Sequence, residues 1–573
     1  MTAHDSSSSA ASPADGGGAA APASAAAAAL AVRPAEVARG RLRVELPGSG
    51  LLPPIPDAFL RGEDRDLLAP MSFLAPGDAL PPRPASAAAP DRAALAAGLA
   101  DANRAYGHPR ADELAEKLAR PGTRVVVAGQ QPGLLGGPLY TFSKLLAVAR
   151  WAAALEEAGE EAVGVFWVAT EDHDFQEVAR ATVLAPDGPV EVDLGPDPEP
   201  LAPVGARTLG PEVERALAEL RRAMPGDRYT EWLDRVAAWY RPDARFGEAF
   251  CRLMAHLAGE RCPLLLDAML PAVKTAEQPW LARIVERRDE VEAAFARADA
   301  AVGRRGHPLQ VHPQRGVSPL FLHSRGERRR IAWAGGDRFE LRGGEGAPRP
   351  VGELLETIAE NPVAVSPGVL ARPVVQDAIL GTDLMLLGPG ELSYLPQAAP
   401  LYEVLGAAAP HVALRPQVLV VESHEVDKLD EADLTLAQLL APREELERVL
   451  AAGADGDFTA APRERLAEVL AGLEEPALAL DPNLERPLEK TRDQVLRAFD
   501  VFAGKVRSSA ARRDEVRAGR VAKLRETVLP GGRLQERVVA SAHYPGKYGA
   551  ERFTASVWEQ MELDGAVLQV VTP

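Results

Sequence analysis

Two short apolar runs in the first third of the chain break abruptly into polar groups. Val125-Val126-Val127-Ala128 ends in Gly129-Gln130-Gln131-Pro132-Gly133, and Val165-Phe166-Trp167-Val168 ends in Ala169-Thr170-Glu171-Asp172-His173-Asp174. Runs this short, rich in β-branched and aromatic residues and without polar alternation, predict strands buried on both faces. Between them, residues 140–159 place Leu145, Val148, Ala149 and Trp151 at the spacing of an amphipathic helix. Strand, polar turn, helix and strand make a βαβ unit, the building block of an open parallel sheet of the α/β class. Ligands of such sheets collect beyond the carboxyl ends of the strands, where Gln130, Gln131 and the acidic cluster 171–174 fall.

The pattern continues more loosely. Residues 36–90 are proline-rich, with Leu42, Val44 and Leu46 alternating like a short strand, and predict an arm that wraps the core. Helix is expected over 91–119, through Leu95, Leu99, Leu114 and Leu118. The stretch 186–203 reads as a surface excursion, followed by helices between 211 and 260. Further strands are predicted at 262–267 and 382–387. Residues 300–350, with strand candidates Phe321-Leu322 and Ile331-Ala332-Trp333, look like a segment that interrupts the core.

From residue 425 the chain is heavily charged. Val495, Phe499, Phe502 and Val506 are spaced 4, 3, 4 like an a/d seam, opposite Leu436, Leu439, Leu440, Leu446, Val449 and Leu450. Periodicity alone leaves two forms open, a helical hairpin packed on its own core or a projecting coiled coil. Pro530-Gly531-Gly532 ends it. The expected organisation is an Ala/Ser/Gly-rich disordered extension over 1–35, a core over 36–424, a helical domain over 425–529, and a segment over 530–573 returning to the core.

Composition narrows the class. The 573 residues are 46% apolar and carry a formal charge of −18, with acids spread along the chain. Nucleic acid and anionic membranes are therefore unfavourable partners. No stretch reaches the roughly 20 apolar residues that span a bilayer. Cys251 and Cys262 are the only cysteines, too few for a disulfide framework or a cysteine zinc site, which points to a reducing, cytoplasmic setting.

The candidate chemistry lies at the strand ends. Gly129, Gly133, Gly136 and Gly137 allow backbone N–H groups to approach an anion, although neither a G-x-G-x-x-G fingerprint nor a P-loop is present. A structural turn explains the same glycines. Gln130 and Gln131, which donate and accept, together with Tyr140, favour a binding role. Glu171, Asp172, His173 and Asp174 would repel one another unless a cation, an ammonium group or basic side chains neutralise them. Their possible roles divide among a magnesium ion carried with a nucleotide, recognition of an amine, and a proton shuttle at His173. The plain alternative is a helix N-terminus capped by Asp172 or Asp174. Gln376 and Asp377, then Glu391 and Tyr394 in Gly388-Pro389-Gly390-Glu391-Leu392-Ser393-Tyr394, are candidates for the same crevice. Arg533 and Arg537 could clamp phosphate or carboxylates, or tether the helical domain to the core.

The runs GQQPGLLGGPLYT, FWVATEDHDF, GPGELSY and LQER, in that order, resemble the BshC family of cysteine ligases in bacillithiol biosynthesis. The resemblance spans residues 36–573. It implies a Rossmann-like core with connecting segments, an α-helical antiparallel coiled-coil insert that dimerises the protein, and addition of L-cysteine to glucosamine malate.

Other cysteine-activating ligases use an H-x-G-H turn and a K-M-S-K-S loop, and this chain has neither. Amide formation from a free acid is uphill, so ATP or another nucleotide, with magnesium, is the expected activator. The resemblance thus favours a cytoplasmic, homodimeric amide-forming ligase whose substrates are L-cysteine and glucosamine malate. Two rivals fit the residues alone: a nucleotide-dependent transferase or hydrolase of another small metabolite, and a noncatalytic dimeric scaffold regulated by a nucleotide.

Overall fold

The computed structural model describes residues 42–82, 90–344, 346–452, 458–513 and 515–573. The extension expected over 1–35 lies outside them. Six parallel strands form the central sheet: β1 (Ser72–Phe73), β2 (Arg124–Gln130), β3 (Ala162–Val168), β4 (Leu264–Asp267), β5 (Leu384–Leu387) and β6 (His411–Leu414), in spatial order β1-β6-β5-β2-β3-β4. Strand β2 alternates its burial between two cores. Val126 and Ala128 enter the cluster on one face and Val125 and Val127 the cluster on the other. With both faces covered, the run needs no polar alternation.

The order reverses between β2 and β5. From β2 the chain proceeds outward to β3 and β4, then returns to lay β5 and β6 on the other side. The carboxyl ends of β2 and β5 thus bound the crevice in which open α/β sheets place their ligands.

Four helices frame this edge: α1 (Leu139–Glu157), α2 (Pro271–Glu286), α3 (Arg372–Leu380) and α4 (Pro389–Ala398). The first departs from the amphipathic expectation. Residues 141–148 are all buried, because the C-terminal segment covers the side that solvent would have taken, with Phe553 stacked on Phe142 at 6.0 Å. Residues 186–203 are largely exposed or half-buried, and Gly188–Asp193 within them pairs with Arg180–Ala185 as a hairpin. The interrupting segment supplies an antiparallel sheet of Val317–Ser324, Glu327–Gly335, Arg338–Leu341, Arg349–Pro350 and Val365–Pro367, which carries both strand candidates.

The helical domain comprises α5 (Arg443–Ala452), α6 (Ala460–Ala471), α7 (Glu485–Arg513) and α8 (Glu515–Val528), with α5 and α6 packed along α7. Arg463 on α6 pairs with Asp500 on α7 at 2.6 Å. The proposed seam is corrected at one position. Ala503 is buried while Phe502 is 55% exposed, because a straight helix returns to the same face after 3.6 residues and 499 is followed by 503. Exposed Phe458, Val469, Leu473, Leu480 and Val501 lie on the same domain. Among the described residues no helix is long and apolar enough to cross a membrane.

The last segment is tied back by charge. Arg415, just after β6, donates to Glu536 through both terminal nitrogens at 2.9 and 2.7 Å, and the pair is 2% and 1% exposed. Glu536 also accepts the Val418 N–H at 3.2 Å. Breaking a buried pair from one side costs about 3–5 kcal/mol, whereas replacing both partners by apolar groups costs far less. Denaturant melts should therefore show a large loss for Glu536→Leu and a partial recovery for Arg415→Met with Glu536→Leu. A single variant within about 1 kcal/mol of wild type would mean that the pair does not hold this segment.

Candidate functional site

A cavity of about 570 Å³ opens at the reversal point, between the carboxyl edge of the parallel sheet and the antiparallel sheet. Gly129, Gln130 and Gln131 line it from β2, and Trp167, Glu171, Asp172 and His173 from β3. Tyr140 and Lys144 come from α1, and Glu391 and Tyr394 from α4. The facing wall brings Phe321, Arg328 and Arg330, and Arg372, Arg415 and Arg537 line it as well.

Lys144 is the residue around which the floor is built. It is 1% exposed, and its ammonium donates to the Gly129 carbonyl at 2.6 Å and to the Glu391 carboxylate. Burial pulls its pKa down, against the raising effect of Glu391. Glu391 in turn accepts the Gly388 N–H at 2.9 Å, so one buried ion pair joins the ends of β2 and β5 across the crevice. Gln130 donates to the Tyr140 hydroxyl at 3.0 Å, and burial pushes that phenol up to about 12.

The acidic cluster is split among different tasks. Glu171 is 3% exposed and pairs with Lys274 of α2, which also holds Glu277 at 2.8 Å. Asp172 accepts from Gln131 at 2.5 Å and from the His173 N–H at 2.7 Å, and lies 3.6 Å from Arg328. Burial opposes its charge, but His173, Arg328 and Gln131 outweigh that and hold the carboxyl well below the usual range. The Nδ1 of His173 is 3.2 Å from Arg328, which stacks over Phe321 at 3.9 Å. Asp174 does not line the cavity: it caps the short helix Phe175–Val178 by accepting from the Glu177 N–H at 3.1 Å. For Asp174 the capping alternative is the one the geometry realises.

Other candidates are also displaced. Gly133, Gly136 and Gly137 are absent from the lining. A Cβ at Gly133 would meet the Gly137 Cα at 2.5 Å, and one at Gly136 would meet the Met254 Cε at 2.7 Å and the Ser541 Cβ at 3.0 Å. Their turn is instead bonded to the C-terminal segment, which donates from Ser541 N to Gly137 O at 2.8 Å and from Ala542 N to Leu135 O at 3.1 Å. Even the N-terminus of α1 is occupied, since Leu139 N–H donates to the Val539 carbonyl at 2.7 Å. Close packing at Gly133 and Gly136, and positive φ at Gly136 and Gly137, account for those three glycines.

Gln376 and Asp377 sit behind the wall. Gln376 accepts from Arg372 at 2.8 Å and so orients a residue that does face the cavity. Asp377 accepts from the Tyr402 hydroxyl, and burial raises its pKa to about 6. Arg533 is exposed and outside the lining, whereas Arg537, one turn on, reaches it. Among the described residues Arg330 and Arg537 make no ion pair, and no three His, Cys, Asp or Glu side chains converge as a metal site.

Sequence reasoning missed Lys144, Lys274, Glu277 and Arg328. A lysine at the sixth residue of a buried helix is a signal for the first, since an ammonium there must find a carboxylate. The others come from distant segments and carry no local signature.

The profile described as "Bacillithiol biosynthesis BshC, N-terminal Rossmann-like domain" matches residues 82–416, and that described as "Bacillithiol biosynthesis BshC, C-terminal coiled-coil domain" matches 418–571. A Salinibacter ruber protein named "Putative cysteine ligase BshC" is 32% identical over 473 residues, covering 80% of this chain and 85% of its own. Its namesake from Thermus thermophilus is 32% identical over 465 residues, covering 78% and 89%. A third, from Chlorobaculum tepidum, is 31% identical over 481 residues, covering 80% and 84%. The first profile carries every cavity residue except Arg537, and the second carries Arg537 with the helices that follow the core. The chain belongs to the BshC family of bacillithiol biosynthesis.

Proposed function

We propose that this chain is a cysteine ligase that joins the carboxyl of L-cysteine to the amine of glucosamine malate, the last step of bacillithiol biosynthesis. The observation that carries the reading is the polarity of the cavity. Glu171, Asp172 and Glu177 line it at or just beyond the end of β3, Glu391 is taken up by Lys144, and among the described residues Arg330, Arg372 and Arg537 line it without a carboxylate partner within ion-pair distance. One ligand set matches that division: an amino acid and an amino sugar offer ammonium groups, and malate offers two carboxylates.

Arginine forks suit carboxylate and phosphate equally, so ATP is the activator that fits the same side. When bound, ATP would supply the leaving group that a free carboxyl lacks, and magnesium would enter with its phosphates. The chain's own residues orient and shield. Gln131 and Arg328 fix Asp172, Gln376 fixes Arg372, and Lys144 with Glu391 keeps the two strand ends at a set separation. Positioning of two bound reactants and fixed charge are the main sources of acceleration available here.

Purified protein with L-cysteine, glucosamine malate and ATP should yield a product with the mass of bacillithiol. Arg537→Gln should raise KM for glucosamine malate tenfold or more, about 1.4 kcal/mol, with the melting temperature unchanged. Absence of product from folded protein under a range of nucleotides would sink the reading.

We also propose that the helical domain pairs two copies, supported by its exposed Phe458, Leu480, Val501 and Phe502. Phe502 packs little within its own chain, so Phe502→Asp with Val501→Asp should leave the melting temperature nearly unchanged and convert a dimer to a monomer in light scattering. A persistent dimer would move the interface elsewhere.

A further inference from the structure

Beneath the acidic end of the cavity lies a closed cluster of three charged groups. Lys274 is 1% exposed, Glu277 0% and Glu171 3%. Lys274 donates to one oxygen of each carboxylate, and the other oxygens, Glu171 Oε1 and Glu277 Oε1, are buried with no hydrogen-bond partner. Two carboxylates around one ammonium leave a buried negative charge, which is costly, so one acid must hold a proton or a second cation must arrive. Burial pushes Glu277 up to about 8 despite the pull of Lys274. Around it, Glu171 adds negative charge; Asp267 at the end of β4 and His323 on the antiparallel sheet face Lys274, and Arg328 faces Glu171. Burial keeps His323 neutral, with a pKa pulled down to about 3.

A second observation points to a ligand. Trp167 lines the same cavity, and its indole Nε1 is likewise buried without a partner. Glu171, three residues beyond the end of β3, has an unmet acceptor and Trp167 within β3 an unmet donor, and each is costly to leave buried without a partner. A zwitterion with an ammonium and a carboxylate on one carbon offers both.

We propose that Glu171 binds the α-ammonium of the amino-acid substrate and that Glu277 releases its proton as this cation enters. The charge balances: Glu277 passes from carboxylic acid to carboxylate, one proton leaves for solvent, one ammonium takes its place, and the cluster keeps its net charge. Two carboxylates then share two cations. The arrangement holds the amino acid's own amine protonated, so that it cannot compete as nucleophile with the sugar amine. This inference rests on the ligase reading for the identity of the amino acid, but not for the ammonium site itself.

The test is calorimetric titration of L-cysteine, and separately L-serine, into the full chain at pH 7 in phosphate and in Tris, whose ionisation enthalpies differ. About one proton should be released per L-cysteine bound. Glu277→Gln should still bind but release none, and Glu171→Gln should lose affinity tenfold or more for L-cysteine while binding glucosamine malate as wild type does. Proton release that survives Glu277→Gln comes from the ligand's thiol and overturns the proposal, as does binding by wild type without release, or no binding of either amino acid. Binding of L-serine with release, and none of L-cysteine, would keep the ammonium site and overturn the cysteine ligase reading instead.

Discussion

The ammonium of Lys144 is the contact on which the site's geometry depends. Strands β2 and β5 are parallel neighbours at the reversal of the sheet, and their backbone pairing, Leu384 with Val126 and Met385 with Val127, stops short of the loops that leave them. Lys144 holds the Gly129 carbonyl on one side and the Glu391 carboxylate on the other. A largely buried pair of this kind contributes little net stability, because desolvation offsets the attraction, but removing one partner leaves the other charge uncompensated. Lys144 also lies 3.4 Å from Gln130 Oε1, so the same ammonium touches both residues at the end of β2 and the carboxylate beyond β5.

Charge is then distributed over this frame by pairing and by omission. Glu171, Asp172 and Glu391 are each met by a basic side chain, which lets three acids stand near one another at the edge of a buried sheet. Arg330 and Arg537 are left unmatched among the described residues, and an anionic ligand gains most from groups that have no partner to exchange. The antiparallel sheet supplies Arg330 and the C-terminal segment Arg537, so both segments contribute to the lining of the cavity.

The sequence made legible what local pattern controls. The strands at 125–130 and 165–168 were readable from uninterrupted β-branched and aromatic runs, and the position of Gln130, Gln131 and Asp172 followed from where those runs stop. Glycine is less informative: it marks positive φ or close packing, and at Gly136 the close neighbours were Met254 and Ser541, the latter some 400 residues away, while Gly133 and Gly137 packed against each other within the turn. Periodicity misjudged Phe502 for a related reason, since spacings of 4, 3, 4 describe a supercoiled seam and the helix here follows its 3.6-residue repeat to Ala503. Lys274 and Arg328 had no local signal because each acquires its partner only when α2 and the antiparallel sheet fold over β3.

The most direct measurement of the central claim is a crystal structure with L-cysteine and glucosamine malate bound together. Density is expected in the cavity at the β2–β5 reversal, with the cysteine ammonium toward Glu171 and the malate carboxylates toward Arg330 and Arg537. Ligands bound outside that cavity, or bound there with malate against the acidic edge, would contradict it.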